Sequence, residues 1–264
     1  MKSCLFCGRH GAEGSVEHVI PKWARKVLKA PGGLTLVASD QTFSKHEQRV
    51  AGRPALSITL NDTICTNCNN RFLSRIESRV ASFLSNMASE ARPTRLDPAN
   101  QVHLATWAIK TSYLLELAFR QHYPIARPTP GYEISEPEAA WLWRKELPPP
   151  RSFVWLGTWD CLKSIPLNYE PSSTRMMEDP LLTGNFTSFT LGYVAFQVFT
   201  VNFVLAEKLG APFWNPQPPP QLRDRLQRLW PETHSSVPWP PIGFAHDNWK
   251  ELVTWGGALR PGQQ

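Results

Sequence analysis

Residues 60–72 read LNDTICTNCNNRF. Cys65 and Cys68 stand two residues apart, after a short alternating apolar run and before a segment of helical periodicity. That spacing lets both thiolates of a knuckle reach one ion, but a single pair fills only half of a tetrahedral site. The other half is CLFC at residues 4–7, so Cys4, Cys7, Cys65 and Cys68 are expected to hold a structural zinc. A redox CxxC or unpaired thiols are the alternative. The 57 residues between Cys7 and Cys65 exceed a simple zinc ribbon, so further structure is inserted between the knuckles. Cys161, in TWDCLK, reads as a small buried apolar residue.

Upstream, ALSITL (55–60) alternates as a strand leading into the second knuckle. Downstream, residues 69–91 place Phe72, Ile76, Val80, Phe83, Leu84 and Met87 on one side of a helix that ends before Pro93. A second helix over 100–122 is apolar on most faces and is therefore expected to be buried. Ser135 as N-cap and Pro137 in the first turn predict a third helix, and the prolines at 148–150 break the chain after it. RSFVWLGTW (151–159) reads as a strand, residues 185–206 as two or three antiparallel strands, and QLRDRLQRLWP (221–231) as a short amphipathic helix. The expected fold class is α+β. A zinc-clamped module with a helical extension occupies 1–95, and a larger accessory domain of helices and antiparallel strands occupies 96–264.

The net charge of +6 is unevenly distributed. Residues 1–95 hold 14 Lys/Arg against 7 Asp/Glu, a balance of +7, and residues 96–264 hold 14 against 15, a balance of −1. The basic excess thus accompanies the cysteine pairs, which favours a polyanionic partner such as nucleic acid. Lys22, Arg25, Lys26, Arg71 and Arg75 are the leading phosphate contacts. His10 and His46 read as exposed, and Trp107, Trp141, Trp143, Trp155 and Trp159 as core. The chain has no run of 18 apolar residues and no signal-peptide core in MKSCLFCGRHG, so a cytoplasmic protein is expected.

Between the knuckles, SVEHVIPKW (15–23) sets a glutamate beside a histidine. The order CxxC, then EH followed by a proline, then LNDTICTNCNNRF resembles the HNH endonuclease family. The resemblance covers roughly residues 4–76. It implies a ββα-metal module clamped by Cys4 zinc, with Glu17 a metal ligand and His18 the general base. It also makes Asn69 the second protein ligand, with Asn70 as the alternative, and Asn61 the central asparagine that orients the loop. The catalytic cation implied is Mg²⁺ or Mn²⁺, and the substrate is DNA, with RNA not excluded. CNNRFLSRIE, LATWAIKT, LWPE and VPWPP also resemble a group of bacterial HNH proteins with a long C-terminal extension, which suggests restriction or anti-phage defence. The extension would serve target recognition, a protein partner or oligomerisation. Two features depart from the family pattern: the gap between His18 and Asn61 is long, and seven residues rather than eight separate Asn61 from Asn69. A catalytically inactive zinc-stabilised nucleic-acid-binding module and an RNA-cleaving toxin are the rival expectations.

The chemistry gives its own reasons for these residue types. Phosphodiester hydrolysis needs a deprotonated water, and a neutral imidazole accepts that proton near neutral pH. Carboxylate and amide oxygens suit a hard divalent cation. Neighbours on a strand point opposite ways, so Glu17 and His18 serve one site only if the strand ends there, as Pro21 suggests.

Overall fold

In a computed structural model, residues 3–28, 33–39, 45–54, 58–122, 134, 136–160, 169–175, 182–213 and 215–241 are described. Cys161, Ser135 and the side chain of His46 lie outside them. The architecture is α+β, with helices and antiparallel sheets.

Strand β1 (Gly14–His18) follows the first cysteine knuckle and ends at His18. Helix α1 (Lys22–Leu28) starts one residue beyond Pro21, whose ring suits the approach to a helix start. The long insertion then forms an antiparallel ribbon, β2 (Gly33–Ser39) with β3 (Lys45–Pro54), before the chain returns as β4 (Thr59–Cys65). β4 pairs with β1, setting Val16 opposite Asn61, Glu17 opposite Leu60 and His18 opposite Thr59. Of the strand expected over 55–60, residues 55–57 lie outside the described residues, and the described strand begins at Thr59 and continues to Cys65. Its extra residues bulge toward Gly14, where Asp62 takes φ 54°. A Cβ on Gly14 would meet Asp62 Oδ1 at 2.2 Å and Asp62 Cα at 3.1 Å, so a side chain here would displace the Asp62 carboxylate and crowd its backbone.

The chain leaves β4 through a π-helical segment, Cys68–Leu73, and continues as α2 (Ser74–Glu90). Phe72, Ile76, Val80, Leu84 and Met87 are buried and Phe83 packs against them partly buried, as the periodicity predicts. α2 stops at Ala91, which adopts a left-handed conformation two residues before Pro93. After β5 (Thr94–Leu96), α3 (Pro98–His122) runs through the interior against α2, β4 and the main sheet. No described helix is long and apolar enough to cross a membrane.

α4 (Glu136–Lys145) precedes that sheet, whose order is β10–β6–β9–β8–β7. Its strands are β6 (Phe153–Thr158), β7 (Tyr169–Arg175), β8 (Thr183–Leu191), β9 (Val194–Val201) and β10 (Gln227–Trp230). Alternation divides its residues between two faces. Val154, Leu156, Phe189, Phe196 and Val198 meet α3, with Trp107 5.5 Å from the Phe196 ring. Phe153, Trp155, Phe186 and Phe199 face a second core closed by Ala206, Leu222 and Leu226. Each buried aromatic stabilises the fold by about 2–3 kcal/mol. Trp107, Trp155 and Trp159 are fully buried as expected, whereas Trp141 and Trp143 are half-buried.

Two local expectations are corrected. NFVLA does not extend the sheet: Asn202 accepts from Leu205 N–H and caps helix α5 (Phe203–Lys208). In 221–231 only α6 (Pro220–Arg223) is helical, and Gln227–Trp230 becomes β10 because β6 offers a free edge. The last described strand, β11 (Val237–Trp239), pairs with β5. One continuous buried cluster runs from Cys4 and Phe6 through α2 and α3 to the sheet, on both sides of residue 95.

Candidate functional site

The first knuckle is a tight turn in which Gly8 N–H donates to Cys4 O and Gly8 takes φ 68°. The second is the junction of β4 with the π-helical segment. The β1–β4 pairing brings the two together, and the four Sγ atoms of Cys4, Cys7, Cys65 and Cys68 lie within 4.8 Å of one another. Cys7 and Cys65 are 3.8 Å apart, close to the sulfur–sulfur edge of about 3.8 Å that tetrahedral 2.3 Å bonds require. Cys65 N–H donates to Cys4 Sγ, and Cys68 N–H to Cys65 Sγ, both at 3.4 Å. A hydrogen bond from Cys68 pulls Cys4 down to about 4, and the same bond with burial pushes Cys68 far up. Three buried sulfurs and the half-buried Cys7 can all ionise together only with a cation among them, so these residues are placed to hold a metal ion such as zinc.

Beside this cluster, β1 presents Ser15 and Glu17 on one face. Asn69, at the start of the π-helical segment, donates from Nδ2 to Ser15 Oγ at 3.1 Å and to Val16 O at 3.4 Å. Ser15 in turn donates to Ile64 O at 2.8 Å, which locks β1, β4 and the helix start together. Asn69 thus meets β1 two residues from Glu17, with no hydrogen bond to its Oδ1 among the described residues, while Asn70 is exposed. The Glu17 carboxylate points inward and is buried; burial pushes its pKa up to about 7 against the pull of Lys110.

His18 closes the strand. Its Nδ1 is buried and has no hydrogen-bond partner among the described residues. Burial, with the nearby charges of Arg25 and Lys22, pushes the imidazole below its ordinary value, so it is neutral at neutral pH. Asn61 is exposed, and its backbone N–H donates to Gln121. Among the described residues it makes no side-chain hydrogen bond to the loop after His18.

Of the basic candidates, Lys22, Lys26 and Arg71 are exposed. Arg25 is half-buried, with its Nε unpartnered among the described residues. Arg75 instead pairs with Glu146 at 2.5 Å, and Arg79 joins the same carboxylate at 2.6 Å.

Sequence reasoning did not single out Lys110 and Glu77. Lys110, fully buried on α3, lies 2.6 Å from Glu77 and 3.9 Å from Glu17. The available signal was a lone lysine in the apolar run TWAIKTSYLL. Comparison with protein-family models, curated proteins and solved structures gives no match.

Proposed function

We propose that the protein is a metal-dependent nuclease of the HNH type acting on DNA, with a structural zinc on Cys4, Cys7, Cys65 and Cys68. The observation that supports this reading is that Glu17 and a neutral His18, whose buried Nδ1 has no partner among the described residues, end β1, and that Asn69 is hydrogen-bonded to the same strand beside the four thiols. A buried ring nitrogen that is not tied to the described residues is available to take a proton from water, as a general base requires.

A hard divalent cation fits the donor set, since the Glu17 carboxylate and the Asn69 amide oxygen are oxygen ligands. The Lys110 ammonium lies beside two carboxylates, those of Glu17 and Glu77. When bound, Mg²⁺ or Mn²⁺ supplies neutralisation of charge developing on the phosphoryl group and the leaving oxygen. His18 takes the proton of the attacking water. Lys22, Arg25, Lys26 and Arg71 hold the flanking phosphates. Asn61 is the strand partner of Val16.

The test is incubation of zinc-loaded protein with plasmid DNA and with RNA, in Mg²⁺, Mn²⁺ or EDTA. Cleavage of DNA is expected with either cation and not in EDTA. His18→Ala should lower the rate about 10²- to 10⁴-fold while folding and DNA binding persist. DNA binding without cleavage by the unaltered protein would leave a zinc-stabilised binding module, and cleavage of RNA alone would make the protein an RNA-directed toxin. A His18→Ala protein as active as the parent would overturn the assignment of the base.

A further inference from the structure

Lys110 sits at the middle of α3 with no exposed surface, and its ammonium emerges beneath β1. Its two acidic neighbours are held differently. Glu77, on α2, accepts a charge-assisted hydrogen bond at 2.6 Å. Glu17, at 3.9 Å, is within ion-pair range but beyond hydrogen-bond range. The short bond to Glu77 therefore anchors the ammonium and stops it from closing onto Glu17. Glu17 feels the positive charge without a direct hydrogen bond from it, and its carboxylate accepts instead from the His18 backbone N–H. Such a pair is a poor device for stability alone, because apolar residues of similar volume serve a buried position as well or better.

We propose that Lys110 and Glu77 are positioning residues for Glu17: anchored by Glu77, Lys110 fixes the Glu17 carboxylate and leaves it free to bind the divalent cation. This rests on the nuclease reading and extends it. The metal-binding carboxylate is aimed by residues from two helices, one of them in the segment assigned to the accessory domain. The asymmetry of the two contacts, 2.6 Å against 3.9 Å, carries the inference. Outer groups that orient a metal ligand typically contribute 10- to 100-fold in metal affinity.

The test is calorimetric titration of Mn²⁺ into zinc-loaded full-length protein, with thermal unfolding recorded in parallel. The double variant Glu77→Gln with Lys110→Met removes one charge of each sign. The net charge of the cluster is thus unchanged. Mn²⁺ affinity is expected to fall about 10- to 100-fold while the variant folds and keeps its zinc. Glu77→Gln alone frees the ammonium to close onto Glu17 and should weaken Mn²⁺ binding in the same direction, which preserves the test if the double variant does not fold. A merely structural ion pair would change the unfolding temperature and leave Mn²⁺ affinity where it was. Binding lost in Glu17→Gln but unchanged in the Glu77 and Lys110 variants overturns this proposal alone. Mn²⁺ binding absent from the unaltered protein, or undiminished in Glu17→Gln, overturns the nuclease reading as well.

Discussion

Cys4 contributes a sulfur to the four-thiol cluster and accepts the Cys65 N–H across the β1–β4 pair. Removing it takes away one ligand and one link between the knuckles. Because a site assembled from two distant segments does not exist in the unfolded chain, metal affinity here is also folding free energy. The expected outcome for Cys4→Ser is loss of the bound zinc together with cooperative unfolding of residues around β1 and β4. Metal analysis and amide hydrogen exchange check it, with one zinc per chain in the parent protein. Full zinc retention by a variant lacking both Cys4 and Cys65 would remove the assignment. His18 and Asn69 depend on that clamp at second hand, since β1 and the π-helical segment are its immediate neighbours.

Among elements, the tie between α2 and the end of α4 is electrostatic. Glu146 takes φ 51° just past α4 and receives Arg75 and Arg79. Burial alone would push its carboxyl up, but the hydrogen bonds and charges of the two arginines outweigh burial and hold it below the usual carboxylate range. A depressed folded value means that the stabilisation is fully present above the unfolded pKa of about 4.3 and is lost as pH falls through the folded one. Arg75 is more than half exposed, so screening keeps each pair under about 1 kcal/mol. Thermal unfolding of the parent and of Glu146→Gln should differ most at pH 6 and converge as pH falls from about 5 toward 3. A difference that does not vary over that range would show that the ion pairs contribute nothing. The same contact takes Arg75 out of the set of cations free for phosphate.

For the whole molecule, the basic excess of residues 1–95 includes Lys22 and Lys26, exposed on α1, and Arg71, exposed after the second knuckle, and the charges of Arg25 and Lys22 reach His18. Each phosphate contact adds to the salt dependence of nucleic-acid binding, with a slope near −0.9 per neutralised phosphate on duplex DNA. Charge reversal at Lys22, Lys26 and Arg71 together should weaken DNA binding and reduce the salt slope by about 2–3. Reversal at Arg75 should leave that slope unchanged. Fluorescence anisotropy at several salt concentrations measures both, and equal slopes in parent and triple variant would move the footprint elsewhere. The amino-acid sequence alone determined what depends on short spacing. The two CxxC knuckles, the amphipathic stripe from Phe72 to Met87 and the buried character of α3 follow from which residues stand two to four positions apart. The end of β1 at His18 was likewise legible, from a proline three residues on. Only the tertiary structure decided what depends on chain return. Residues 227–230 become a strand because β6 has an edge to fill, overriding a helical pattern of weak local preference. Glu146 claims Arg75 across 71 positions, and Glu77 and Glu17 meet on a lysine carried by another helix. The physical reason is that a charge finds its partner through space, in a low-dielectric interior whose walls come from distant segments, and residue spacing along the chain carries no record of that encounter.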